Sequence, residues 1–182
     1  MQLTVLTTSI TEPVTKEEVK VFLGYPSTET SQDSLITGMI TAAREFVEAY
    51  TGLSVVSKSY KVQFDKEDAL DGWYELPVSP VLASPAITAN VSGTTTTFTQ
   101  KGLSTVSIYP DNVIGTIGVG SSVLNYYFEV TFTAGATNTT ANLCIMRIVA
   151  QVFNHREDGI NISLSRLDFS TIKLLDSISK NV

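Results

Sequence analysis

The chain carries 12 Lys and Arg and 18 Asp and Glu, yet between Leu76 and Met146 only Lys101, Asp111 and Glu129 are charged. That stretch is rich in Thr, Ser, Val and Gly, a composition that favours strands and turns over amphipathic helices. The other 27 charges lie in the two flanks, where apolar residues recur at helical spacing. The uneven charge therefore predicts an α+β chain. Helical segments at the N- and C-terminal ends (12–57 and 140–182) form its core, and an antiparallel β-sheet region (58–139) is inserted between them. At 182 residues and 43% hydrophobic content the chain is long and apolar enough to bury one substantial core. We expect a single domain over 1–182.

The first helix announces itself by its cap. In Thr15-Lys16-Glu17-Glu18 the Thr15 hydroxyl accepts from the Glu18 amide while the Glu18 side chain reaches back, with Val14 and Val19 as a hydrophobic staple. Val19, Phe22 and Leu23 are expected to form one apolar face, and Gly24 with Pro26 ends the helix. In the second helix Leu35, Ile36, Met39, Ile40, Ala43, Phe46, Val47 and Tyr50 recur at three- and four-residue intervals. Thr37, Thr41, Arg44, Glu45 and Glu48 fall largely on the opposite side. Ser31 is the expected N-cap and Gly52 the left-handed C-cap. A third helix starts near Thr140 or Asn142 and runs to Asp158, with Gly159 as its cap. It is apolar on nearly all sides, as a central helix must be. A last amphipathic segment, Asp168 to Lys180, presents Ile172, Leu175 and Ile178 on one face, with Leu174 beside it.

Between the helices, Tyr60, Val62 and Phe64 alternate with Lys61 and Gln63, the pattern of a half-buried strand. A short strand around Trp73–Leu76 ends at Pro77. Ile87–Val91, a Ser92-Gly93 turn and the Thr94–Thr99 run read as a hairpin. Val106–Tyr109 and Tyr126–Phe132 are two further strands, separated by a loop with Gly115, Gly118 and Gly120.

Several kinds of chemistry are disfavoured. The only histidine, His155, stands beside Arg156, Glu157 and Asp158 at a helix end, where basic residues complement the helix dipole. A hydrolase using His155 and Asp158 would need further groups converging from elsewhere. The single cysteine, Cys144, sits among Leu143, Ile145 and Met146 and reads as a buried apolar residue. Gly115, Gly118 and Gly120 lack the strand–glycine–helix setting of a phosphate cradle. Asp65, Glu67, Asp68 and Asp71 lack calcium-loop spacing and read as a solvated turn. We therefore expect no enzyme, no metal and no cofactor. The net charge of −6 and the scattered basic residues give no nucleic-acid clamp. Neither a secretory leader nor a membrane span is read from the sequence, so synthesis in the cytoplasm is expected.

Three stretches resemble a known family. Pro13-Val14-Thr15-Lys16-Glu17-Glu18-Val19-Lys20-Val21-Phe22-Leu23 resembles the opening of tailed-phage head–tail connector proteins, also called adaptor or head-completion proteins. Leu35-Ile36 through Ala42-Ala43-Arg44-Glu45-Phe46-Val47-Glu48-Ala49-Tyr50-Thr51-Gly52 is similar to their long helix. Phe132-Thr133-Ala134-Gly135-Ala136, followed by Ile145 to Asn154-His155-Arg156-Glu157, is similar to a third segment, and Ile172–Asp176 to their short terminal helix.

That resemblance implies a subunit of a homo-oligomeric ring (a dodecamer) in the virion neck, beneath the portal protein. The ring extends the DNA channel and bears a stopper or tail-completion protein. Its partners are then the portal, the stopper or tail protein, other copies of itself and, by proximity alone, the genomic DNA; no membrane is involved. Within this expectation Leu174, Leu175 and Ile178 dock on the portal, because their segment is amphipathic and terminal. Glu45 and Glu48 approach the channel, because like charge lets DNA slide past. The competing reading is a β-rich carbohydrate-binding or tail-tip module with Trp73, Tyr74, Tyr109, Tyr126 and Tyr127 as a stacking platform.

Overall fold

A computed structural model of the chain describes residues 1–6, 11–65, 68, 73–82, 88–91, 94–96, 98–101, 107–110, 127–155 and 167–179. They divide into two compact units. The helical unit comprises Thr11–Val56 and Thr137–Val182; the strand unit comprises Met1–Ile10 and Ser57–Ala136.

In the helical unit α1 spans Lys16–Leu23, α2 Asp33–Thr51, α3 Thr139–Asn154 and α4 Phe169–Ile178. The capping box of α1 forms as the residues dictate: Glu18 N–H donates to Thr15 Oγ1 at 3.2 Å, and Thr15 N–H donates to Glu18 Oε2 at 2.7 Å. Gly24 and Gly52 end α1 and α2 at φ 66° and 70°, the left-handed region where a Cβ is strained. Tyr25 N–H then closes the first cap onto the Lys20 carbonyl at 2.8 Å. The start of α2 departs from expectation. Gln32, not Ser31, is the N-cap and contributes no side-chain bond, while Ser31 N–H is held by Glu29 Oε1 at 3.0 Å.

Around α3 the other three helices pack. Ala141, Cys144, Ile145, Ile148 and Val149 of α3 meet Ile36, Met39, Ile40, Ala43 and Val47 of α2, with Val14, Val19 and Leu175 completing the core. Each of the larger aliphatic side chains contributes roughly 1.5–3 kcal/mol by leaving water. Burial pushes the Cys144 thiol pKa up, which keeps it protonated and inert. Asn138 Oδ1 accepts from Ala141 N–H at 3.0 Å and starts α3 one residue before the expected Thr140. His155 is the C-terminal cap of α3; the expected stop at Gly159 lies outside the described residues.

In α1 the apolar face differs from the expected Val19, Phe22 and Leu23. Val19 is buried and Leu23 packs against the core, but Phe22 is exposed and Lys20 is buried in its place. One turn separates Val19 from Leu23, so the two stack; Phe22 lies about 60° from Val19 and about 100° from Leu23 on one side, and Lys20 lies about 60° from Leu23 on the other. Lys20 is drawn inward by Asp33, with which it pairs, and by the Glu29 carbonyl 2.6 Å away. Asp33 also accepts from Lys16 at 2.7 Å, and these two lysines, Lys16 first, hold its carboxyl below the usual range.

The strand unit holds two antiparallel sheets. Strands β1 (Gln2–Val5), β2 (Lys58–Asp65), β8 (Tyr127–Ala134), β4 (Thr88–Val91) and β5 (Thr94–Thr96) lie in the order β1-β2-β8-β4-β5. Strands β3 (Tyr74–Glu75), β7 (Ser107–Pro110) and β6 (Phe98–Lys101) form the second, in the order β3-β7-β6. The β2–β8 register sets Tyr60 opposite Phe132 and Val62 opposite Val130, all buried. The Tyr60 and Phe132 rings stack with centroids 5.5 Å apart, and Phe64 tilts against Tyr74 at 5.3 Å. On the other face Lys61 pairs with Glu129 at 2.7 Å. The Thr94–Thr99 run is not one strand: Thr94–Thr96 pairs with β4, while Phe98 starts a strand of the second sheet. A homopolymeric threonine run has no alternation to mark such a break.

Candidate interaction surfaces

The connector-like run from Ala42 to Gly52 is a structural clamp. Ala43 is fully buried, where a larger side chain would hold α2 away from its neighbours. Arg44 was expected on the polar side, yet its side chain is 3% exposed. Its Nε donates to Glu12 Oε2 at 2.8 Å and its Nη1 to Glu48 Oε2 at 2.8 Å, with Glu45 at 3.4 Å from Nη2. Burial works against the guanidinium charge, but Glu12 and Glu48 outweigh it and raise its pKa above the ordinary value. The carboxylates are held in turn: Thr41 donates to Glu12 Oε1 at 2.8 Å, and Val55 N–H donates to Glu48 Oε1 at 3.1 Å. Further along, the Thr51 hydroxyl donates to the Val47 carbonyl at 2.7 Å and accepts from Leu53 N–H at 3.2 Å.

This geometry separates the two residues assigned to the channel. Glu45 is 67% exposed and extends outward, whereas Glu48 is 13% exposed and committed to Arg44 and Val55. Glu45 is the freer of the two to meet another molecule.

The terminal helix α4 starts at Asp168, whose carboxylate accepts from Thr171 N–H at 3.1 Å and from the Ser170 and Thr171 hydroxyls. These bonds, Ser170 first, lower its pKa to about 2. Arg147 of α3 donates to Ser170 Oγ at 2.7 Å. Of the residues expected to dock on the portal, Leu175 is wholly buried in the chain's own core, and Leu174 and Ile178 are half-buried against it. Packing on the chain's own core takes up all of Leu175 and part of Leu174 and Ile178. The exposed side of α4 carries Phe169, 73% exposed, with the Lys173 ammonium 5.5 Å from its ring centroid. On α1, Val21 and Phe22 are likewise exposed.

The proposed stacking platform is not assembled by the described residues. Tyr74 is buried against Phe64, Trp73 is half-buried, and Tyr126 and the side chains of Tyr109 and Tyr127 lie outside them. The same holds for Asp158, which the hydrolase reading needs, and for Gly115, Gly118 and Gly120. Of the acidic cluster, Asp68 pairs with the Met1 ammonium at 2.9 Å, while Glu67 and Asp71 lie outside the description. Among the described residues no group of three or more His, Cys, Asp or Glu is placed to hold a metal, and no helix is long and apolar enough to cross a membrane.

A surface that sequence reasoning missed lies on β1. Met1, Leu3, Val5 and Leu6 are all exposed, on or beside the outermost strand of the five-stranded sheet. The signal was present as alternation in Gln2-Leu3-Thr4-Val5, but four residues are too few to separate a strand from an unstructured start.

Residues 15–74 match the family described as phage gp6-like head-tail connector protein. No curated protein matches the chain by sequence. Among solved structures, a chain from the neck of an empty gene transfer agent particle with C6 symmetry matches with TM-score 0.72 and 18% identity, over 98% of this chain and 95% of that one. A chain from the virion of the native gene transfer agent particle matches with TM-score 0.69 and 16% identity, over 98% and 95%. One from the native neck with C12 symmetry matches with TM-score 0.58 and 16% identity, over 94% and 95%. At these identities the likeness is one of fold.

Proposed function

From the gp6-like head–tail connector segment that this chain carries over residues 15–74, we propose that it is a structural connector subunit of a phage-like particle. The match carries the reading because it takes in α1, α2 and, of the clamp, Arg44 with Glu48. The fold shared with neck chains across 98% of the sequence supports it. The role is architectural: subunits close into a ring of cyclic symmetry beneath the portal, extend the DNA channel, and present a platform to a stopper or tail-completion protein. A closed ring requires head-to-tail contacts between two different patches of one subunit. A dodecamer is the expected state, in keeping with the C12 symmetry of one neck of the same fold.

Within this role, α4 contributes to portal contact through Phe169 and Lys173, with Leu174 and Ile178 at the margin and Leu175 anchoring the helix from inside. Glu45 faces or approaches the channel, where its charge keeps DNA from adhering. Co-expression with the portal protein of the same particle tests the reading. Co-purification of the two as one complex is expected. Failure of the folded chain to associate with the portal contradicts the role.

A further inference from the structure

Among the described residues the five-stranded sheet of the strand unit ends on β1 at one side and on β5 at the other, and the two ends differ. On one side β1 pairs with β2 from Gln2↔Gln63 to Val5↔Tyr60, and no strand lies beyond it among the described residues. Leu3 stands opposite buried Val62 and Val5 opposite buried Tyr60, so these two side chains continue the apolar face of the sheet past its covered part. They are 40% and 50% exposed. At the other side β5, Thr94–Thr96, has β4 as its one neighbour in this sheet among the described residues.

Monomeric proteins guard such edges with lysines, prolines or inward charges. Neither Gln2-Leu3-Thr4-Val5 nor Thr94-Thr95-Thr96 contains one. The ammonium at the head of β1 is neutralised by Asp68. The two edges are thus uncharged, and no like-charge repulsion keeps them apart.

Their directions settle which pairing a ring allows. Every neighbour in the sheet is antiparallel, and the sheet has five strands, so β1 and β5 run the same way. Pairing β1 with β1 of a second copy makes a two-fold, antiparallel contact that closes at a dimer. Rotation about an axis along the strands instead brings β1 of one subunit parallel to β5 of the next, and that contact repeats around a ring.

We infer that the occupant of the β1 edge is a second copy of this chain, through its β5 edge, so that neighbouring sheets join by parallel strand addition. This rests on the ring proposed above. With only three residues in β5 the backbone ladder is short. Burial of Leu3 and Val5 against the neighbour supplies the rest of the adhesion.

The test uses the full chain assembled with its portal. By register, positions 4 and 95 fall on one face of the sheet. Rings of the T4C/T95C double variant, treated with a short bis-maleimide, should give a ladder of covalent oligomers, and rings of either single variant should not. Leu3→Asp with Val5→Asp should lower the ring fraction at least tenfold while far-UV circular dichroism stays that of the parent. A covalent dimer from T4C alone overturns the parallel pairing. Intact rings with no crosslinks in the double variant overturn it too, and leave the connector reading standing. Absence of any ring from the parent chain removes both.

Discussion

The Tyr50 hydroxyl donates a 2.6 Å hydrogen bond to Asp176 Oδ1, tying the last turn of α2 to α4 across 126 residues of sequence. Asp176 raises the Tyr50 pKa above its ordinary value, so the hydroxyl remains a donor throughout the physiological range. Together with Leu175 in the core, this bond seats the terminal helix on the helical unit.

Removing that bond should loosen α4 without disturbing the core. Tyr50→Phe is expected to lower the unfolding free energy by about 0.5–1.5 kcal/mol. A double-mutant cycle with Asp176→Ala, followed by urea denaturation, should recover most of that loss as coupling between the two positions.

Arg44 and Glu45 are adjacent but carry opposite expectations. Arg44→Met leaves Glu12 and Glu48 without their buried cation and should cost roughly 3–5 kcal/mol. Glu45→Gln removes an exposed charge and should change stability by less than about 0.5 kcal/mol. Urea midpoints of the two variants check the contrast.

Leu175 and Phe169 divide α4 in the same manner. Leu175→Ala empties a fully buried site and should destabilise by about 2–5 kcal/mol. Phe169→Ser should leave the melting temperature within about 2 °C, as a surface change does, while weakening portal co-purification. Equal portal binding by Phe169→Ser and the parent would remove Phe169 from the contact.

Acid should weaken the cap that starts α4. The folded pKa of Asp168, about 2, lies below the ordinary 3.8. A lowered folded pKa means that the carboxylate stabilises fully above about pH 4 and that this stabilisation is lost as pH falls through about 2. The stability difference between the parent and Asp168→Ala, from urea melts at a series of pH values, should therefore shrink across that window. A difference that persisted at pH 1.5 would show that Asp168 acts by something other than its charge.

How much of this could be read beforehand depends on how far each contact reaches along the chain. The Thr15–Glu18 box, the stripe of α2 and the two glycine caps involve residues within one or two helical turns, and the structure has them as expected. Arg44 was placed on the polar side of α2, and Lys20 was left off the apolar face of α1, because their partners Glu12 and Asp33 lie 32 and 13 residues away. Helical periodicity records hydrophobicity, and a cation buried by a distant carboxylate breaks its rule. Strand β1 was missed because four residues have no periodicity until β2 pairs with them. Leu175 was legible as apolar, but no sequence pattern separates an apolar face turned to the chain's own core from one turned to a partner.

The central claim, that the chain is a ring-forming connector, is tested most directly by electron cryomicroscopy of the full chain co-expressed with the portal protein of the same particle. The account predicts a closed ring of one-copy-repeat cyclic symmetry coaxial with the portal, with Glu45 turned toward the channel. A chain found as an isolated monomer, or bound elsewhere than on the portal axis, would contradict it.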